Sequence, residues 1–314
     1  MNGSAQRSAN LVNLGLVTLI AALIGLNYSV MKAALEDTTP LVLAALRTSV
    51  GGPVLLAFAF ARGERLPKTK AQWLAIWWIS LTITTVSSGA LVIGVSKLSA
   101  GLTGMLSATM PLFTAVFAVW LLRERPGRIG AAGVLIGFVG ALVLAWPAFS
   151  AGNTAIGVFW VMVAASTWAI GGVLNKLQPA ALEVAPVMLV AVQIMMSCIC
   201  LHMAALVFED WGDTTFSLDF FWLLVYAGIP SLALSFLLFT TVLRRAPAIV
   251  ASVSAYLTPL FGVFFGWLIR DERFGLVEIV GGALIIAGIG VLTFSRMRAA
   301  PAPPLVPLGP HNDA

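Results

Sequence analysis

The sequence predicts an all-α integral membrane fold of ten transmembrane helices, arranged as two inverted five-helix repeats. Three observations predict it. Hydrophobic residues make up 60% of the chain and charged residues 10%, with a mean hydropathy of +0.98, whereas a soluble domain carries about 25% charged residues. Charges and turn residues cut the chain into apolar stretches of about 20 residues, the length that crosses the hydrocarbon core of a bilayer. Finally, the chain repeats itself: sliding it by 148 positions lays 111–144 on 259–292, and Pro111, Leu112, Phe113, Phe117, Glu124, Arg125, Gly127, Gly133, Gly140, Val143 and Leu144 meet identical residues.

The elements follow in order. Spans are expected at 11–33, 41–61, 71–95, 99–122 and 128–146 in the first repeat, and at 156–176, 186–207, 219–241, 247–269 and 275–295 in the second. Residues 1–10 form a cytoplasmic tail without the apolar core of a removed signal peptide. An outer linker covers 147–155, and 296–314 is a Pro-rich tail of the kind that stays disordered. Such long unbroken apolar runs exclude a membrane β-barrel, whose strands alternate in segments of about 10 residues. Weaker echoes link the rest of each half: Lys32 and Lys176 close the first spans, Pro40 and Pro186 open the second, and Arg47 falls opposite Gln193. Cys198 and Cys200 lie two apart, on different faces of one helix, and indicate neither a disulfide nor a metal site.

Charge sets the orientation. Thirteen Lys and Arg fall in tails and connections on the side of the amino terminus, four on the opposite side, and Arg47 lies within a span. By the positive-inside rule both termini are cytoplasmic. Five spans per copy is an odd number, so the second copy is inverted, and inverted repeats are the architecture of alternating-access secondary transporters with a substrate site near the midplane.

Each repeat ends in a proline-centred helix, a turn holding Glu124 or Glu272, and a Gly-rich helix. This pattern resembles the EamA domains of the drug/metabolite transporter superfamily over about residues 14–295, and the chain is similar to the aromatic amino-acid exporters of the YddG type. The resemblance implies a basket of ten helices in the cell (inner) membrane. Its central cavity would be lined by the first, third and fourth helices of each half, with the fifth helices on the periphery, and its task would be export of amino acids or other small metabolites.

The residues supply candidates for such a cavity. Arg47 is the one strong charge well inside a span, and a charge at that depth costs about 2.5 to 3.5 kcal/mol on insertion scales unless a cavity or partner receives it. It reads either as a structural arginine or as an anchor for a substrate carboxylate. Asn27, Tyr28, Thr85, Ser88, Trp168, Ser252 and Tyr256 add polar and aromatic groups, which equally serve as interhelical hydrogen bonds. Pro111 and Pro259 each remove a backbone bond inside a helix, giving a fixed bend or a gating hinge. The GxxxG pairs Gly133/Gly137 and Gly262/Gly266 favour close helix approach, within one subunit or across a homodimer. Glu278 and His202 are the candidates for proton coupling.

No phosphate-binding GxxxxGK[ST] loop, HExxH or other metal or cofactor motif occurs, so transport without ATP hydrolysis is expected. A nucleic-acid partner is not expected, because the basic residues scatter over loop ends; the partners are a small-molecule substrate and the lipid bilayer, with a monomer or homodimer as the assembly. Export of drugs or other metabolites without carboxylate recognition is the alternative, and an intramembrane enzyme is the alternative from another class.

Overall fold

The computed structural model describes residues 3–124, 127–147, 152–245 and 248–299, without the side chains at 3–10, 153, 243–244, 248–249, 251–252 and 296–299. Ten helices are long and apolar enough to span a membrane: α1 Leu11–Ala34, α2 Pro40–Ala61, α3 Lys70–Lys97, α4 Ala100–Leu121, α5 Arg128–Ala145, α6 Thr154–Leu177, α7 Pro186–Phe208, α8 Leu218–Val242, α9 Val253–Arg270 and α10 Leu276–Ser295. Helix already runs through Gly3–Ala34 at the start and through Leu276–Ala299 at the end, so part of each expected tail extends its neighbouring span. Residues 300–314 lie outside the described ones.

Local chemistry explains where the helices start. Pro40 and Pro186 open α2 and α7, where the missing N–H costs nothing. At the head of α3, Thr69 Oγ1 accepts from Gln72 N and Gln72 Oε1 accepts from Thr69 N, both at 3.2 Å, a reciprocal capping box. Ser99 and Ser217 cap α4 and α8 through Leu102 N and Phe220 N.

The repeat is visible in the backbone. Arg123 and Asp271, 148 apart, both adopt positive φ, at 57° and 51°, and Glu124 N and Glu272 N each donate over 3.2 Å, to Ala118 O and Gly266 O. In the middle of α3 and α8 the winding loosens to π-helix, at Ser80–Val86 and Ile229–Leu234. The two repeated prolines sit differently in their helices. α4 divides at Ala108–Thr109, with Pro111 opening its second half, whereas helix continues unbroken through Pro259.

Packing follows the duplication. α2 packs along α7 and α5 along α10; α1 packs on α9 as α6 does on α4, and α3 on α6 as α8 does on α1. The α5–α10 seam is built on glycine. A Cβ at Gly133 would stand 2.7 Å from Gly288 O and Leu292 N, and one at Gly140 would stand 2.7 Å from Gly281 O and Ile285 N. Those glycines therefore serve contact between the repeats within one chain.

The two ends differ in charge. The turns α1–α2, α3–α4, α7–α8 and α9–α10 gather Glu36, Asp37, Glu209, Asp210, Asp213 and Glu272 at an acidic end; Arg62, Arg65, Lys68, Lys70, Arg123 and Arg128 mark the basic end. Long-range carboxylate caps bind helix heads at both. At the acidic end Glu209 Oε2 accepts from Leu41 N at 2.7 Å, Val42 N at 3.0 Å and Thr39 Oγ1 at 2.6 Å. At the basic end Glu64 Oε2 accepts from Met188 N at 2.8 Å, the matching place on α7.

Candidate functional site

A buried polar cluster lies where α1, α2, α4 and α9 meet. Arg47 on α2 is 6% exposed, and Tyr28 on α1 is 4% exposed. The Tyr28 ring lies against the α4–α9 crossing at two glycines: a Cβ at Gly104 would be 3.3 Å from Tyr28 Cδ2, and one at Gly262 would be 3.4 Å from it, both in contact with the ring. Arg47 Nη1 donates to the Met31 sulfur at 2.9 Å, and its titratable neighbour is Tyr28, which in turn stands beside Ser107 of α4.

What Arg47 lacks is as informative. Its Nε has no hydrogen-bond partner and no carboxylate pairs with it among the described residues. A thioether is a weak acceptor for a guanidinium that offers five N–H donors. Asn27 Oδ1 and Ser29 Oγ, which flank Tyr28 in sequence, are likewise buried and unsatisfied. Buried polar groups are normally paired, so Arg47 Nε, Asn27 Oδ1 and Ser29 Oγ stand out among the described residues.

Chain similarity meets this geometry from another direction. A family model described as EamA-like transporter family matches residues 13–146 and again 155–294. The chain belongs to the EamA-like transporter family. Members similar to it include an uncharacterized transporter, YoaV, of Bacillus subtilis strain 168, 27% identical over 91% of this chain and 98% of that one. An uncharacterized inner membrane transporter, YedA, of Escherichia coli K12 is 24% identical over 90% of each chain. A probable amino-acid metabolite efflux pump of Escherichia coli K12 is 25% identical over 91% of this chain and 96% of that one. A solved crystal structure shares the fold with a TM-score of 0.63 at 18% identity, covering 91% of this chain and 98% of that one. This EamA protein is thus a multi-pass membrane transporter.

The other expected site residues scatter around this transporter's cluster. Thr85 is buried in the π segment of α3 with an unsatisfied Oγ1, and Ser88 is half-buried one turn on. That segment faces α6 and α7, with Ser80 Oγ donating to Gln193 O at 2.7 Å. Tyr256 is tied to α10, its hydroxyl reaching Ile289 O at 3.0 Å and Thr293 Oγ1. Trp168 is 37% exposed on α6, and the Ser252 side chain lies outside the described residues. Glu278 caps its own helix, accepting from Gly275 N at 2.9 Å. His202 sits with Ser49 and Cys198 on the α2–α7 contact, 3.4 Å from Ser49 Oγ.

Tyr28, Met31 and Arg47 are all buried. A cleft of about 210 Å³ lies toward the basic end between α2, α7 and α8, bordered by Phe58, Arg62, Thr240 and Arg245. Its nearest α2 residue is 11 positions from Arg47, about 16 Å along the helix. Sequence reading missed Met31 and Ser107: both are apolar-face or small residues whose relevance arises only once Arg47 is placed beside them.

Proposed function

We propose that this transporter exports zwitterionic amino acids with apolar or aromatic side chains, by alternating access and without ATP, from the cytoplasm across the cell membrane. The observation that carries the reading is Arg47, buried with a methionine sulfur in place of a carboxylate. A substrate carboxylate would complete it through a charge-assisted, bidentate bond. Asn27 and Ser29 offer acceptors and hydroxyl for the ammonium side, and the Tyr28 ring offers an aromatic face. The efflux-pump relative is named for amino-acid metabolites, in line with this class.

The test is counterflow in proteoliposomes loaded with phenylalanine. External phenylalanine and leucine are expected to exchange, while phenethylamine and phenylalanine methyl ester, which lack the free carboxylate, are expected to compete at least about tenfold more weakly, as for loss of one charge-assisted bond. Equal competition by the ester would sink the anchor and leave a hydrophobic-drug exporter.

Orientation is the second part of the proposal. The basic end faces the cytoplasm, together with both termini, because Lys and Arg are retained on that side. A cysteine introduced at Leu66 or Pro310 should resist a membrane-impermeant maleimide applied to intact cells and react after lysis. Labelling of either from outside would reverse the assignment.

A further inference from the structure

We infer that Glu272 and Glu124 are alternating latches: Glu272 locks the acidic end in the state seen here, and Glu124 takes the matching position at the basic end when the ends exchange. The inference rests on the reading of the chain as an alternating-access carrier but not on its substrate.

Glu272 holds the head of α4 with both oxygens. Ala100 N donates to Oε1 at 2.6 Å and Gly101 N to Oε2 at 2.9 Å. The carboxylate belongs to the second repeat and the helix to the first, so the contact ties the repeats together across the end. The fit is built in. A Cβ at Gly101 would run into the Phe274 ring, and one at Gly266 would run into Glu272 Oε2, so glycine at both places makes the seat for the carboxylate. The first half of α4, Ala100–Ser107, packs closely on α9.

The counterpart is vacant. Glu124 lies 148 positions earlier in the same positive-φ turn with the same backbone bond, yet its side chain is exposed and bonds nothing among the described residues. Its matching targets are the backbone N–H groups of Ala248 and Ile249, at the start of the helix Ala248–Arg270. The second half of α4, Met110–Leu121, does not share the close packing on α9 that its first half has. One end is therefore latched and closely packed, while at the other, among the described residues, the carboxylate is unlatched and the packing of α4 on α9 is looser. The α2–α7 caps behave differently: Glu209 and Glu64 are both engaged in this one state, which marks that pair as fixed and α4–α9 as the moving pair. The break at Ala108–Thr109 separates the latched half of α4 from the free half.

The latches are unequal. Where the first has Gly266 against the carboxylate, the second has Ala118, whose methyl group takes the space that Glu272 Oε2 fills in the first. The acidic-end lock is thus the tighter, and the resting state without substrate is the one described here.

The experiment uses spin-label distances in nanodiscs, with Cys198 and Cys200 replaced by serine and one label pair at each end: Lys97 with Arg273, and Leu121 with Arg245. In E272Q the acidic-end pair should lengthen while the basic-end pair shortens, with the ratio of the two states moving by about tenfold or more, as for loss of a charge-assisted cap. E124Q alone should leave the resting distances unchanged. The double variant E272Q/E124Q should fall back toward the wild-type distribution, because the alternative state has lost its lock as well. Should E272Q not fold, Glu272→Asp, which keeps the charge but shortens the reach, is read the same way. Lengthening at the acidic end alone would make Glu272 a mere helix cap, and a double variant identical to E272Q would remove Glu124 from the mechanism; either overturns the proposal.

Discussion

Gly288→Val is expected to lower the thermal midpoint of the purified transporter by about 10 °C or to abolish a monodisperse preparation, while Gly290→Val, two residues on, leaves it near wild type. The contrast follows from the seam. A Cβ at Gly288 would lie 2.6 Å from Gly133 O and would collide with the Gly137 backbone, whereas nothing lies within 4 Å of one at Gly290. Both obstacles at Gly288 are main chain, so no rotamer change relieves them; α5 and α10 must separate. Overpacking a well-filled site costs about 1 to 3 kcal/mol, and valine adds two methyl groups beyond that Cβ, so about 3 kcal/mol is a lower figure. Folded proteins hold only about 5 to 15 kcal/mol in all, and each kcal/mol moves the midpoint of a chain this long by about 2 to 4 °C. Tryptophan fluorescence during a thermal ramp reads the effect. A G288V midpoint equal to wild type would mean that the seam does not join the repeats.

Arg47→Met is expected to separate activity from stability in opposite directions. Truncating one member of a buried, hydrogen-bonded charge pair costs about 2 to 5 kcal/mol, so if substrate supplies the other member, counterflow at low substrate should fall by about 30-fold or more. Stability should rise, because the substrate-free state no longer buries an unpaired cation; replacing buried ions by apolar side chains of similar volume is often neutral or stabilising by about 1 to 4 kcal/mol. A structural arginine gives the reverse: R47M would melt lower while any folded fraction still transported. Arg47→Lys keeps the charge but loses the planar fork and should recover only part of the flux. Measuring melting and counterflow on the same preparations decides between the two roles of the residue.

Much of this was legible in the residues. The ten spans fall within a few positions of their expected places because apolar length is a direct consequence of bilayer thickness. The inverted repeat could be read because glycine and proline at fixed spacing leave identical marks in both copies. Arg47 announced itself by its cost. What could not be read is what depends on partners far away in the chain. The π segment of α3 carries the long-range contact of Ser80 with Gln193 O, whereas that of α8 has Pro230 at its start, a local mark of irregular winding. The caps by Glu64, Glu209 and Glu272 join residues more than 120 positions apart. Trp168, a natural choice for a binding ring, is 37% exposed on α6, a value that a lipid-facing ring and a pocket-lining ring share.

The glycine seam also carries a symmetry. Gly133 meets Gly288 and Gly140 meets Gly281, and since Gly281 is the copy of Gly133 and Gly288 the copy of Gly140, the contact is isologous, as at the interface of a two-fold dimer. A pseudo-dyad therefore passes through α5–α10, and through α2–α7 with its matched caps. Elements on such an axis map onto each other when the two faces of the molecule trade places. Interactions of equal strength in both arrangements shift no population. The seam can thus be as strong as folding requires without favouring one face over the other, and the bias between faces is left to the helices that lie off the axis and to the crossing of α4 with α9.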